Sequence, residues 1–174
     1  MGDVMTVSLA TEKREMNTTG GRRMRASRAQ RERQIQLDIS TFRERMLRLA
    51  DNLTVWLEGR DVVIIRREMV PASAAGAYTV PGIVLRHGRN WAGFTPQALY
   101  SVKGGTELKG EVHLVTDNPH RSPRTEKYML CMSGHLLSTA DWAIHSAGCT
   151  PDRGKIMTRE LLLAAIAPLF DDAA

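Results

Sequence analysis

Apolar residues recur through the first third of the chain at gaps of four and three: Ile35, Ile39, Phe42, Met46, Leu49, Leu53, Trp56. That spacing places them in a seam along one face of a helix, in the a and d positions of a heptad. No Pro or Gly interrupts residues 26–58, and Gly59 stands where a helix stop belongs. The pattern therefore predicts one long helix ending near Glu58. Past Met46 the apolar face widens through Leu47, Ala50, Val55 and Leu57, so the C-terminal half is expected to pack on a domain body. The narrower N-terminal half is left able to pair with a second copy.

The period then shifts toward that of strands. Val62-Val63-Ile64-Ile65 is a β-branched run without alternation, which predicts a strand buried on both faces. Residues 71–77 are small and read as a hairpin loop. Tyr78-Thr79-Val80 and Ile83-Val84-Leu85 read as strand pieces, with Pro81-Gly82 suggesting an edge kink. Residues 91–94 and 98–102 are shorter candidates before the turn Gly104-Gly105. Residues 111–115 alternate cleanly, residues 117–124 form a polar turn, and 127–132 make the last expected strand. Two helices are expected to close the chain. One is capped by Ser138 or Thr139 and runs to about Ser146, with Gly148 as its stop. The other is capped by Thr158 and buries Leu161, Leu162, Ala165, Ile166 and Leu169. Helix, then strands, then helices predicts an α+β fold: a long N-terminal amphipathic helix, a mainly antiparallel sheet in the middle and two C-terminal helices. The expected division is a disordered leader (1–21), a basic arm with the long helix (22–58), and an α+β domain (59–174).

Charge changes this picture at one place. Residues 13–33 hold eight basic side chains against Glu15 and Glu32, so they carry more than the whole net charge of +5. The remainder is close to neutral. Six arginines (Arg22, Arg23, Arg25, Arg28, Arg31, Arg33) lie within twelve residues, immediately ahead of the seam. A local basic block of this kind seeks an anionic partner, nucleic acid or a membrane surface, or else merely solubilises. Of the chain's 24 basic residues most are Arg, whose planar fork suits phosphate better than an ammonium does, a lean toward nucleic acid that base composition of the gene alone would also produce.

A basic segment running into a heptad seam is similar in outline to the plan of basic-leucine-zipper proteins, in which two helices fork across the major groove. Here the seam is only about three heptads long. It also holds an aromatic and a Met instead of a Leu run, and lacks that family's Asn-based reading pattern. The likeness is one of plan, not of kinship. In a parallel pair Asp38 and Arg43 would fall at g and e positions and could bridge between chains. Packing of the seam on the chain's own sheet is the plainer alternative.

Other constellations are weaker. Arg86-His87-Gly88-Arg89-Asn90-Trp91, followed by Phe94, could stack an unpaired base between phosphate-binding guanidinium groups; the plainer reading is a hairpin Trp covering the sheet. His120, Arg121 and Arg124 read as a solvated turn. Cys131-x3-His135 with His145-x3-Cys149 has the ligand types for tetrahedral zinc, but a Cys in an apolar strand is commonly just buried, so no metal and no cofactor is assigned. No phosphate-binding Gly-Lys loop, nucleophile elbow or His-Glu-x-x-His is present. Ser133-Gly134-His135 lacks an identifiable carboxylate, and no catalytic residues are assigned. Two cysteines do not make a secreted disulfide framework, no apolar run is long enough to span a bilayer, and Met1-Gly2 begins only a loose myristoylation pattern. The expected location is cytoplasmic, without a membrane partner.

The sequence thus predicts a small intracellular nucleic-acid-binding protein, DNA favoured, that acts as a regulator and homodimer. Arg22, Arg23, Arg25, Arg28, Arg31 and Arg33 would bind phosphate, and Ile35, Ile39, Phe42, Met46 and Leu49 would self-associate. The alternatives are a non-enzymatic adaptor or inhibitor that docks on a partner protein through the helix or a sheet edge, and a small enzyme without a linear motif.

Overall fold

The structure, a computed structural model, describes residues 6–72, 76–132, 142–149 and 154–171, with residues 6–20 described by backbone only. Helix α1 spans Thr6–Trp56. Seven strands follow: β1 (Val63–Met69), β2 (Val80–His87), β3 (Asn90–Lys103), β4 (Thr106–Asp117), β5 (Thr125–Cys131), β6 (Ala143–Ser146) and β7 (Lys155–Ile156). A short helix α2 (Arg159–Ala165) and one turn of 3-10 helix (Ala167–Phe170) end the described chain. The fold is α+β. Contacts group the chain into two compact units, residues 1–38 and residues 39–174, so the last part of α1 belongs with the sheet.

The seven strands form one sheet in sequence order, each pair antiparallel. Such a meander needs only tight turns. Gly104 and Gly105 both have positive φ, as a two-residue turn of type I′ requires, and they join β3 to β4. Gly88 supplies the single positive φ between β2 and β3. Strand β3 is bulged between Pro96 and Ala98, which lets one long strand take up the two short pieces that the sequence suggests.

Residues 39–56 of α1 cover one face of this sheet. Phe42, Met46 and Leu53 are fully buried and Leu49 nearly so, together with Ile83, Leu85, Phe94 and Leu114 from the strands. Phe42 meets Trp142 edge-on, with ring centroids 6.4 Å apart. Polar contacts fix the helix in place: Arg66 of β1 donates to Asp51 at 2.6 Å, and Arg43 forks onto Glu68 while also donating to Thr79. At the other end Asn118, fully buried, donates to the carbonyls of Pro168 and Asp171, tying the C-terminal turn to the β4–β5 corner. Thr158 caps α2 by accepting from the Leu161 amide, and Leu162, Ile166 and Leu169 are buried as the pattern predicts.

Several expectations are corrected. The C-terminus holds no helix pair: residues 143–146 form β6, and only α2 remains of the two. Leu130 pairs with Ile144 and Cys131 with Ala143, and four consecutive residues from Trp142 to His145 are buried. Cross-strand pairing overrides helical pattern there. Gly148, with φ of 84°, turns the chain after β6 instead of ending a helix. The proposed cap at Ser138 or Thr139 lies outside the described residues. Val62 to Ile65 does not enter a doubly buried strand: β1 is a sheet edge, and Val63 is 58% exposed. Pro81 and Gly82 sit in β2, which is an inner strand, but they pair only with Glu68 and Arg67 of β1, because the register with β3 runs from Ile83 to His87. Helix α1 also begins at Thr6, well ahead of the periodic pattern. With no Pro before Pro71, nothing covalent stops it there.

Candidate nucleic-acid interface

In the unit of residues 1–38, every residue from Gly21 to Gln34 is exposed. The segment is mostly Arg, Ala and Gln, good helix formers that need no packing to favour the conformation. All six arginines therefore present their guanidinium groups to solvent. At about 100° per residue, Arg22, Arg25, Arg28 and Arg33 fall within roughly 140° of the helix circumference, and Arg23 and Arg31 occupy the remainder. The basic residues thus surround the helix with one denser side. Arg28 donates to Glu32 at 3.1 Å in an i,i+4 pair, with both side chains largely exposed. Such a pair contributes only about 0.3–0.5 kcal/mol, so a phosphate can displace Glu32 easily.

The residues assigned to self-association lie elsewhere. Ile39, Phe42, Met46 and Leu49 are buried in the unit of residues 39–174. Ile35, in the other unit, is half-buried. Arg43, the expected interchain bridge, is engaged within its own chain by Glu68 and Thr79; the bond to Glu68 raises its pKa and holds Glu68 below the usual carboxylate range. A second copy would have to open the core to reach Phe42 or Met46.

The sheet face opposite α1 carries a second set of cations. Residues that pair across strands share a face. Val63, Arg86, Trp91 and Asp117 form one such row, and Val84, Gly93, Val115 and Lys127 the next. Arg86 and Lys127 are exposed, and Trp91 is 39% exposed. Phe94, one residue out of phase with Gly93, points into the core and takes no part. Glu111 is buried on this face and accepts from Lys103 at 2.5 Å and His113 at 2.7 Å. Burial alone would raise its pKa, but the contacts with Lys103, Ser101 and His113 outweigh that and hold the carboxyl below its ordinary range. A cavity of about 440 Å³ lies beside Lys103, His113 and Lys127. The turn at 117–124 is partly engaged: Arg124 forks onto Asp117 at 2.8 and 3.1 Å, and Arg121 reaches Asp171 at 3.3 Å.

Of the zinc-type residues, Cys131 and His145 do meet, Sγ to Nε2 at 3.5 Å, in the sheet interior. Cys149 is exposed, and His135 lies outside the described residues, as does Ser133. Among the described residues no three His, Cys, Asp or Glu side chains gather as metal ligands would. No helix of the described residues is long and apolar enough to cross a membrane.

No protein-family model, curated protein or solved structure matches the chain.

Two features of this site escape sequence reading. The pairing of Glu111 with Lys103 needs the bulge and the long β3–β4 hairpin, neither of which has a linear signature. The placement of Arg86 directly opposite Trp91 does have one: the Gly88 turn fixes the register of a hairpin in which residues 86 and 91 must face each other.

Proposed function

We propose that the protein binds nucleic acid through the arginine-rich segment of α1, with duplex DNA as the favoured ligand. The observation that carries this reading is the exposure of all six arginines on a helix, without a buried acidic partner among the described residues. Helical presentation suits the major groove, which admits a helix of this diameter. Arg22, Arg25, Arg28 and Arg33, on the denser side, would take phosphates along the groove wall, and Arg23 and Arg31 would face outward. Phosphate contacts of this kind position a protein without reading sequence. A regulatory role for such binding is part of the same reading.

Salt titration tests it. Four phosphate contacts release counterions so that log affinity for duplex DNA falls against log salt with a slope of about −3.6. Replacing Arg25 and Arg28 by Ala is expected to flatten that slope by about two units. The paired change of Arg23 and Arg31 to Ala should flatten it less. Equal slopes for the wild type and the Arg25/Arg28 variant contradict the reading.

A further inference from the structure

The sheet face opposite α1 is chemically distinct from the arm and does not depend on it. At its centre the Trp91 indole lies over Gly93. A Cβ built on Gly93 would stand 3.1 Å from the six-membered ring of Trp91, so a side chain there would press the ring outward by a few tenths of an ångström. Covering a strand glycine with an aromatic ring stabilises the sheet, and that accounts for the inner face of the indole. It leaves the outer face unused. The residue remains 39% exposed, and among the described residues no cation sits over its ring.

The exposed charge around Trp91 is of one sign. Arg86 stands directly opposite Trp91, Lys127 lies two strands from Gly93, and Arg67 shares the face through its pairing with Gly82. All three are exposed. Both carboxylates of the face, Asp117 and Glu111, are buried and engaged, by Arg124 and by Lys103 with His113. Glu68, exposed, and Glu126, half-buried, pair with Pro81 and Thr116 on the α1 side of the sheet, and the exposed Glu107 pairs with Val102 near the far end of the β3–β4 hairpin. From Arg86 to Lys127 the surface crosses three strand spacings, about 15 Å, the reach of a few nucleotides. The 440 Å³ cavity adjoins it and shares Val115 and Lys127 with it, and its size is that of a small-ligand site.

We propose that this face binds single-stranded nucleic acid. One base stacks on the outer face of Trp91, Arg86, Arg67 and Lys127 hold the backbone phosphates, and the neighbouring nucleotide enters the cavity beside Lys127 and His113. A flat aromatic ring flanked by guanidinium groups suits an unpaired base, because every base has a π-face. A duplex offers no such face.

The test uses the full-length chain with fifteen-residue oligothymidylate and oligouridylate, reading both affinity and tryptophan emission, with polyglutamate as a control polyanion. At least one oligonucleotide should quench emission. Trp91→Phe should keep affinity within a few-fold and lose most of the quenching, since Trp56 and Trp142 lie away from this face. Trp91→Ala should weaken binding about tenfold, with a melting curve to show that the chain still folds. Whichever strand binds with Trp91-dependent quenching is the ligand. If neither does, or if polyglutamate quenches equally, the proposal is overturned. Single-strand affinity unchanged in Trp91→Ala but weakened in the Arg25/Arg28 variant overturns this site and leaves the arm standing. The opposite pattern places single-strand binding on this face and leaves the arm to its duplex titration.

Discussion

At the scale of single residues, the sharpest chemistry is His145. Its ring packs so closely on Gly154 that a Cβ there would lie 1.9 Å from Cε1, and its Nδ1 has no partner among the described residues. Burial holds the imidazole below its ordinary pKa of 6.5. The folded chain therefore keeps this ring neutral where the unfolded chain protonates it. Stability from His145 is complete above pH 6.5 and is withdrawn as pH falls from there toward the folded value. Glu111, also held below its usual range, contributes in a separate window that opens only below 4.5. The melting temperature is expected to drop as pH falls below 6.5, and His145→Gln should flatten that drop. An unchanged pH dependence in the variant would assign the proton uptake to another group. None of this follows from the sequence, where Cys131 and His145 offered only a ligand spacing; their meeting depends on the β5–β6 register.

Among the elements, the seam of α1 shows what periodicity can and cannot decide. The positions Ile39, Phe42, Met46, Leu49 and Leu53 are legible as one buried face, and they are buried. Heptad spacing and own-sheet packing differ too little over a few turns for the pattern to name the covering surface. The later widening at Leu47, Ala50, Val55 and Leu57 was the clue to a domain body, although Leu47 and Val55 remain exposed. Since the chain's own sheet occupies this face, Ile39→Asp is expected to cost about 3 kcal/mol or more by placing a carboxylate in the core. Unfolding curves give that loss, and sedimentation of the wild type should give a concentration-independent monomer mass. A wild-type dimer that Ile39→Asp splits into folded monomers would instead make the seam an interface. Strands were legible wherever residues alternate, as in β4, and the Thr158 cap located α2. Strand β6 was not legible, because a four-residue segment beside good helix formers takes its structure from its partners.

On the scale of the whole molecule, the net charge of +5 is smaller than the positive charge concentrated in the arm. The concentration is plain in the sequence, and the structure adds its helical, fully exposed presentation. The second cationic surface was half legible: Arg86 and Trp91 stood out as neighbours, but their common face, the glycine beneath the ring and the segregation of carboxylates needed the sheet. Truncation decides whether the arm carries affinity for nucleic acid. A chain beginning at Gln34 keeps the whole unit of residues 39–174 and should melt like the full-length protein. At low salt it is expected to bind duplex DNA at least a hundredfold more weakly, given the loss of about four phosphate contacts. Equal duplex affinity for the two chains would show that the arm does not hold the DNA.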